Sequence, residues 1–547
     1  MNVLHNHAEI TSESGAAFHP EFGTDYDVAI IGFGPSGAVA AALLGQAGVS
    51  TLVLDRSRDV YPKPRAIALD HEIMRVFQNL GLADTVLPHC EPFTPSEYFG
   101  ADGRLIKRLA TVAPPYPLGY TPSMVFTQPP VEAALRRHVQ DLPSVDVALG
   151  WRFTGVDQDD NTATVHVADE AGRAASVRAR WVIGCDGASS AVRDAVGITL
   201  EDLSFDEPWL VVDVQVNEQG MAKLPQTSVQ YCEPSRPCTY VIGPGNHRRW
   251  EISLLEGEDP AWLATEEGAW SLLKRWIGPE DATLWRQASY RFHALVAREW
   301  RKGRVFIAGD AAHQQPPFLG QGMCQGVRDV VNLTWKLRAV LAGDVAGAAA
   351  GRLLDTYAEE RREHVRQLTT RIKGIGALIC ERDPAAAAAR DAALIEEAGG
   401  TIRTVPRQDI IPPLTGGLVA PDGRAGTGTL FPQPRVDSPA GAVLLDEMAG
   451  AGWRIVTVLA LETLPDDLRQ QAAMTGTLVS VTVQPFAHTP GAIATQECDG
   501  VLASWFDRYQ GVAAIVRPDH YVFGVAADAA ALAGLLAHLQ REVAHQY

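Results

Sequence analysis

The sequence lacks the features of a secreted, metal-binding or membrane-spanning protein. Its seven cysteines are scattered along 547 residues, with no CxxC pair and no spacing typical of metal ligands. No apolar run approaches the roughly 18 residues that a membrane-spanning helix needs. The first 24 residues lack the apolar core of a signal peptide. We therefore expect reduced thiols, no metal centre, no membrane partner and a cytoplasmic protein.

Positive charge is also scarce, because 47 lysines and arginines face 65 aspartates and glutamates, for a formal net charge of -18. Such a surface repels phosphate backbones and anionic lipids, so nucleic acid is not an expected partner. A small anionic substrate stays possible, since it needs only a local positive pocket. The length predicts about three domains, and the 46% hydrophobic content can build a large core.

Apolar patterns and shifts in composition divide the chain. The first part alternates apolar strands with helical patterns, the middle is rich in strand patterns separated by Pro and Gly, and a stretch rich in Ala, Pro and Gly precedes the C-terminal part. The predicted segments are a disordered tail at 1–24, a nucleotide-binding α/β domain in two parts at 25–200 and 296–383, an antiparallel-sheet domain at 201–295, a linker at 384–439 and a C-terminal α/β domain at 440–547.

The first motif is Gly32-Phe-Gly34-Pro-Ser-Gly37, placed between an apolar strand and a helix of small residues. Gly32 permits a tight turn, Gly34 lets backbone approach a pyrophosphate, and Gly37 allows close helix–strand packing. The helix N-terminus presents N–H groups and partial positive charge to phosphates. Asp55 ends the next strand and can bond ribose hydroxyls. This unit predicts dinucleotide binding.

Two later motifs follow buried strands. One contains Asp186-Gly187, and the other runs from Gly309-Asp310 through His313 to Pro317 and Gly320-Gln-Gly-Met323. In this order and spacing, the three motifs resemble those of the class A flavoprotein aromatic monooxygenases. Within that class, Pro64-Arg-Ala-Ile67 and Arg248-Arg-Trp-Glu251 are similar to the family of 3-(3-hydroxyphenyl)propionate hydroxylase and phenol hydroxylase.

The resemblance implies an α/β (α+β overall) fold with a Rossmann-like FAD-binding domain, an antiparallel substrate-binding sheet and a thioredoxin-like C-terminal domain. It also implies that NADH or NADPH reduces FAD, that O₂ adds at flavin C4a, and that the terminal peroxide oxygen passes to a phenolic ring. NADH is the favoured donor. Without a CxxC, the C-terminal domain has no dithiol activity. We expect the protein to be a monomer or a homodimer.

The expected cofactor-binding residues are Gly32, Gly34, Pro35, Ser36, Gly37, Asp55, Arg56, Arg65, Gln128, Asp186, Gly187, Gly309, Asp310, Pro317, Gly320, Gln321, Gly322 and Met323.

Phenol hydroxylation benefits from a base near the ring hydroxyl, whose pKa is about 10. By resemblance Asp70 is the candidate base, although it can equally be the N-cap of the helix that begins at His71. His71 is a weaker alternative base, and His313 is expected to be structural. The candidate substrate-binding residues are Tyr231, Arg236, Tyr240, Arg249 and His293.

Several alternatives stay open. The substrate can be a 3-(3-hydroxyphenyl)propionate-like phenol, a resorcinol-type ring or an aromatic polyketide, because residues 380 to 440 match the propionate hydroxylase least. A Baeyer–Villiger or epoxidising relative is a further possibility. The alternative of a different class is a catalytically silent flavin-binding protein that docks a partner.

Overall fold

The computed structural model describes residues 25–483 and 486–543; the predicted disordered tail at 1–24 lies outside the described residues. The first part of the chain contains helices α1 (Pro35–Gln46), α2 (His71–Asn79), α3 (Ala83–Val86), α4 (Gln128–Gln140) and α5 (Ala191–Ala195), and strands β1 (Asp25–Ile31), β2 (Thr51–Asp55), β3 (Ala68–Asp70), β4 (Cys90–Pro92), β5 (Ser96–Phe99), β6 (Leu105–Ala110), β7 (Ser123–Phe126), β8 (Val145–Leu149), β9 (Trp151–Gln158), β10 (Ala163–Asp169) and β11 (Ala174–Gly184).

The middle of the chain combines long strands with the longest helices of the fold. It contains helices α6 (Glu218–Met221), α7 (Pro260–Leu263), α8 (Glu266–Leu273), α9 (Gly322–Leu341), α10 (Gly347–Ile379) and α11 (Pro384–Glu397), and strands β12 (Leu200–Val216), β13 (Ser228–Tyr231), β14 (Cys238–Ile242), β15 (His247–Ser253), β16 (Ala282–Ala297), β17 (Arg301–Lys302), β18 (Val305–Ile307), β19 (His313–Gln314) and β20 (Arg403–Pro406).

The C-terminal part returns to short strands. It contains helices α12 (Leu445–Ala449), α13 (Asp466–Thr475), α14 (Val501–Tyr509) and α15 (Ala529–Val543), and strands β21 (Arg435–Ser438), β22 (Gly441–Leu444), β23 (Arg454–Thr457), β24 (Thr477–Val481), β25 (Ala487–Thr489), β26 (Ala492–Thr495), β27 (Ala513–Val516) and β28 (Val522–Ala526).

A sheet whose central strands are parallel carries the nucleotide-binding motifs. Its strands lie in the order β17, β18, β11, β1, β2 and β8, and β1 pairs in parallel with both β11 and β2. The central strands are almost wholly apolar and buried, as parallel strands covered on both faces must be. Strand β18 joins this sheet beside β11, so the glycine-rich turns that follow β1, β11 and β18 meet at one edge. This arrangement confirms the predicted Rossmann-like fold.

The second large sheet lies in the order β19, β16, β12, β15, β14, β13, β5, β6 and β20. Strands β5 and β6 come from the first part of the chain, and β20 comes from the segment predicted as a linker. That segment is therefore partly built into the fold, because α11 precedes β20 and β20 pairs in parallel with β6. The sheet buries Trp250, Tyr240 and their neighbours on one face and turns its other face toward the parallel sheet's loops.

The C-terminal part forms a thioredoxin-like unit. Strands β23, β24 and β26 are parallel, and the antiparallel β25, β27 and β28 complete the same sheet. The packing against the rest of the chain includes buried charges: Arg75 donates to both carboxylate oxygens of Asp446 at 2.6 and 2.9 Å, and Arg517 donates to both oxygens of Glu360 at 3.0 and 2.6 Å. Because an unpaired buried charge costs several kcal/mol, these pairs fix how the unit docks.

No helix in the described residues is both long enough and apolar enough to cross a membrane.

Candidate active site

The three glycine-containing motifs converge in space. Gly32 has a φ of +104°, and a Cβ placed there would lie 2.3 Å from the carbonyl oxygen of Cys185, in the second motif. A Cβ on Gly309, in the third motif, would lie 2.8 Å from Oγ of Ser36, in the first. Contacts this close leave no room for a side chain at either glycine. The structure therefore brings together the three loops that the sequence predicted to form one site.

The first loop is built as a cradle. The backbone N–H of Phe33 donates to Asp55 Oδ2 at 2.6 Å, which ties the turn to the end of β2. At Gly37 a Cβ would lie 1.9 Å from the Gly32 carbonyl oxygen, whereas at Gly34 it would meet nothing within 4 Å. Helix α1 starts at Pro35 without a side-chain cap. Open space beside uncapped N–H groups suits a pyrophosphate.

The second loop is held by its own aspartate. Asp186 accepts hydrogen bonds from Ser190 Oγ at 2.5 Å and from the N–H of Val192 at 3.0 Å, at the start of α5. Gly187 follows with a φ of +87° and open space beside it. Asp186 therefore shapes the loop through its side chain, while Gly187 leaves room on its outer side.

The third loop presents an unpaired carboxylate. The Asp310 side chain lines a solvent-accessible recess and makes no hydrogen bond to any residue that the structure describes. Burial in that recess raises the pKa of the Asp310 carboxyl, while the nearby charges of His313 and Arg65 lower it. Arg65 is exposed, and because its charge acts on Asp310, it flanks the same recess. A carboxylate in this setting can accept hydrogen bonds from cofactor hydroxyls.

Asp329, in α9, holds the third loop in place. Its Oδ2 accepts from the N–H of Gly309 at 2.9 Å and lies 2.7 Å from His313 Nε2, and its Oδ1 accepts from Arg361 Nε at 2.9 Å. His313 is buried and stacks on Trp300. The histidine is therefore structural, as the sequence suggested.

The loop that runs into α9 completes the site. Gly320 has a φ of +64°, and its N–H donates to the Pro317 carbonyl at 2.7 Å. Helix α9 begins at Gly322 after Gln321, without a side-chain cap, so the N–H groups near Met323 stay available. An uncapped N-terminus of a 20-residue helix favours negative charge placed against it.

Two other predicted cofactor residues lie near this site. Gln128 is buried, and its Oε1 accepts from the N–H groups of Arg65 and Ala66 at 3.0 and 2.7 Å. It therefore shapes the segment that carries Arg65. Arg56 lies exposed just after β2. Contact of either residue with a cofactor stays a prediction.

Asp70 has both carboxylate oxygens occupied. Its Oδ1 accepts from the N–H of Ile73 at 3.3 Å, which caps α2, and its Oδ2 accepts from Arg328 at 2.5 Å. The pKa of Asp70 is lowered: burial acts to raise it, but the Arg328 charge and hydrogen bond outweigh this effect. Burial lowers the pKa of His71 to about 4. The geometry supports the capping alternative for Asp70, and its catalytic role stays a prediction.

Arg328 links Asp70 to two other parts of the fold. It donates to Glu72 Oε2 at 2.6 Å and to the Gln321 side-chain oxygen at 2.9 Å. Glu72 in turn accepts from the hydroxyl of Tyr521, in the C-terminal unit, at 3.2 Å. A continuous chain of hydrogen bonds thus joins the C-terminal unit to the loop before α9.

The predicted substrate-binding residues do not cluster. Tyr231 and Tyr240 pack on the sheet face that turns away from the motif loops, among Trp250 and Trp276. Arg236 pairs with Glu258 at 2.6 Å, and half-buried His293 lies 3.7 Å from Asp206. Their involvement with substrate stays untested, but these contacts do not place them at the motif loops.

Arg249 is the exception, because it lies on the face that meets the motif loops. Its Nε donates to Asp213 at 2.7 Å, and its remaining nitrogens donate to the carbonyls of Arg65 and Pro64 at 2.9 and 3.3 Å. Arg249 thereby positions the segment that bears Arg65. The alternation of residues along the strands could not show which face of the second large sheet meets the motif loops.

Sequence reasoning missed several buried polar residues of this region. Arg328 and Asp329 are adjacent charges within the buried part of helix α9, and this pair was the available signal. Glu251 lies within the Arg-Arg-Trp-Glu motif but was not assigned a role. Arg407, in the predicted linker, donates to the Leu319 carbonyl at 2.6 Å and lies over the ring of Phe93; no sequence pattern marked it.

Comparison with known proteins agrees with this geometry. The family described as FAD binding domain matches residues 25–372, and the HcaD C-terminal domain matches residues 428–542. The chain therefore belongs to the FAD-binding family of class A flavoprotein monooxygenases. This confirms the predicted class and FAD as the cofactor.

Relatives match over nearly the whole length. The chain is 38% identical to the probable NADH-specific resorcinol 4-hydroxylase of Rhodococcus jostii (strain RHA1) over 524 residues, 95% of each chain. It is 32% identical to the 3-(3-hydroxy-phenyl)propionate/3-hydroxycinnamic acid hydroxylase of Burkholderia cenocepacia (strain HI2424) over 544 residues, 95% of this chain and 97% of the relative. The solved structure of the flavin-dependent monooxygenase PieE, at 22% identity, covers 95% of this chain and 99% of its own with a TM-score of 0.76, which shows the shared fold.

Proposed function

We propose that this chain is an NADH-dependent aromatic hydroxylase that uses FAD and O₂ to add a hydroxyl group to a resorcinol-type phenol. The observation that carries the proposal is the similarity to the resorcinol 4-hydroxylase across 95% of both chains. The site supports it, because an open cradle at Gly34, the unpaired Asp310 and the uncapped start of α9 suit FAD. The donor, the substrate and the individual site residues are parts of this proposal.

In this proposal, each part of the site binds a different part of FAD. The N-terminus of α1 binds the pyrophosphate, Asp310 binds hydroxyls of the cofactor chain, and the start of α9 favours negative charge on the ring bound against it. When bound, FAD accepts a hydride from the nicotinamide donor and, with O₂, supplies the oxygen atom for the substrate. The protein positions the phenol beside the cofactor and excludes water.

A second candidate substrate is 3-(3-hydroxyphenyl)propionate. The specific observation that favours it is Arg407, a guanidinium beside Leu319 that has no carboxylate partner among the side chains that the structure describes. A planar guanidinium binds carboxylates well. By contrast, Arg249 is already engaged by Asp213 and two carbonyls.

A substrate panel tests the proposal. The purified holoenzyme is given NADH or NADPH with resorcinol, phenol or 3-(3-hydroxyphenyl)propionate, and donor oxidation and product mass are recorded. We expect resorcinol to stimulate NADH oxidation and to gain one oxygen. Preference for the propionate substrate, lost in Arg407→Met, would select the second candidate. Donor oxidation that no phenol stimulates, without hydroxylated product, would favour the silent flavin-binding alternative.

A further inference from the structure

A row of polar side chains crosses the second large sheet. The strand registers place Gln230 of β13 opposite Thr239 of β14, and Thr239 opposite Glu251 of β15. Tyr98 of β5 extends the row beyond Gln230. Because laterally paired residues project from the same face of a sheet, the four side chains form one polar strip.

The strip faces the motif loops. Arg249, two residues before Glu251 and thus on the same face, reaches the carbonyls of Pro64 and Arg65. Val241, two residues after Thr239, packs in a cluster with Ala68, and a Cβ on Gly320 would lie 2.8 Å from Ala68 Cβ. The intervening Trp250 and Tyr240 lie in the apolar layer of the opposite face.

Members of the strip have unused hydrogen-bonding capacity. Glu251 is 5% exposed, and within the described residues its carboxyl has neither a hydrogen bond nor an ion pair. The fully buried hydroxyl of Tyr98 has no partner either. Thr239 Oγ1 donates to Gln230 Oε1 at 2.6 Å, which fixes both side chains. Buried polar groups are nearly always paired, and leaving one unpaired is unfavourable, so this strip is suited to a hydroxylated ligand.

The charge environment of Glu251 suits proton exchange near neutral pH. Burial raises its pKa to about 7; Asp213 acts in the same direction, while Arg249 and Arg286 oppose it. A general base works best when its pKa lies near the operating pH. Asp70, whose carboxylate is held by Arg328, has the opposite shift.

We propose that Glu251 binds one hydroxyl of a 1,3-dihydroxybenzene ring and accepts its proton, while Thr239 and Gln230 bind the other hydroxyl. This inference rests on the proposed function. Neighbouring strands are about 4.8 Å apart, which is comparable to the separation of two meta hydroxyls on a benzene ring. An uncharged diol therefore fits the Glu251–Thr239 pair.

In the proposed reaction a proton moves from the ring hydroxyl to Glu251 and later returns to the ring oxygen. The O–H bond of the ring hydroxyl breaks, its proton goes to the Glu251 carboxylate, and the released electron pair enters the ring. An adjacent ring carbon would then use this electron pair to bond the electrophilic hydroxyl group that bound FAD, reduced by NADH, and O₂ would supply, and the second oxygen atom of O₂ would leave as water. When that carbon loses its hydrogen as a proton to solvent, Glu251 returns its own proton to the ring oxygen, and the aromatic product forms.

The test compares wild-type holoenzyme with Glu251→Gln, using Glu218→Gln, at an exposed site on α6, as the control. Resorcinol hydroxylation, NADH oxidation and hydrogen peroxide release are measured between pH 5.5 and 9. We expect Glu251→Gln to keep FAD and to lower hydroxylated product about 100-fold or more, with peroxide released instead. The product yield of wild type and control should rise as the pH passes about 7, because the carboxylate form of Glu251 is the base, and that rise should vanish in Glu251→Gln.

Other results separate the two hypotheses. Wild-type yield and pH profile in Glu251→Gln would overturn the role of Glu251 and leave the hydroxylase function standing. A wild-type enzyme that hydroxylates no phenol of the panel would overturn both. If Glu251→Gln fails to retain FAD, Glu251→Asp replaces it: a lower yield per NADH supports the proposal, and an unchanged yield and pH profile refutes it.

Discussion

Two replacements of Asp70 separate its capping role from its charge. Asp70→Asn keeps an oxygen that can accept from the N–H of Ile73, whereas Asp70→Ala keeps none. Asparagine caps helices about as well as aspartate, and loss of the cap costs about 1 kcal/mol. The carboxylate also accepts a charged hydrogen bond from Arg328, and such bonds contribute about 1.5–3 kcal/mol.

The expected magnitudes follow from these contacts. Because Glu72 still neutralises Arg328 in the variants, we expect Asp70→Asn to lower the free energy of unfolding by about 2 kcal/mol and Asp70→Ala by about 1 kcal/mol more. Denaturant unfolding followed by circular dichroism measures both. If Asp70 only caps α2 and pairs with Arg328, hydroxylated product per unit time should fall less than about tenfold in either variant, because loss of a general base would lower it about 100-fold or more.

One result would refute this reasoning. If Asp70→Asn is as stable as wild type but forms product 100-fold more slowly, the ion pair contributes little and Asp70 is the base that the family resemblance suggested. The control is retention of FAD, measured by the flavin absorbance of the purified variant. Equal FAD content ensures that a fall in turnover does not come from an empty site.

Two more replacements test the cradle and the domain junction. Gly32→Ala places a methyl group 2.3 Å from the Cys185 carbonyl at a φ of +104°, and should weaken FAD binding at least about tenfold by flavin fluorescence titration; Gly48→Ala, at positive φ with open space, should bind FAD normally. Asp446→Asn removes the carboxylate shared by Arg75 and Arg454, and should cost about 3–5 kcal/mol at pH 7 in thermal or denaturant unfolding. Although burial opposes it, the guanidinium charges hold the pKa of Asp446 below its ordinary 3.8, so wild type should lose this stabilisation as the pH falls below about 4 and the variant should not; equal stability of the two at pH 7 would contradict the assigned role.

Short-range patterns carried most of the fold prediction. Gly32, Asp186 and Asp310 each lie a few residues from a buried strand, so strand, turn and helix could be inferred locally. The order of the three motifs then indicated one shared site, and the contacts of Gly32 and Gly309 show that the three loops meet. The structural role of His313 also followed, although its partner Asp329 did not.

Long-range pairings were beyond the same reasoning. Arg328 contacts Asp70 across 258 residues, and β20 pairs with β6 from a segment whose composition indicated a linker. Tyr231 and Tyr240 were candidate substrate-binding residues, but only the packing of helices against the sheet shows that their face turns away from the motif loops. Glu251 escaped notice because its neighbours, rather than its local sequence, make it unusual.

The buried charges at the C-terminal junction limit how this chain can be truncated or recombined. A shortened chain that ends before β21 would retain Arg75, Glu72 and Glu360 but remove Asp446, Tyr521 and Arg517, their partners in the C-terminal unit. Domain exchange between relatives is therefore expected to succeed only when the donor supplies matching acids, bases and hydroxyls at those positions. Selection on one half of the protein is thus coupled to the other through electrostatics, even where neither half touches a substrate.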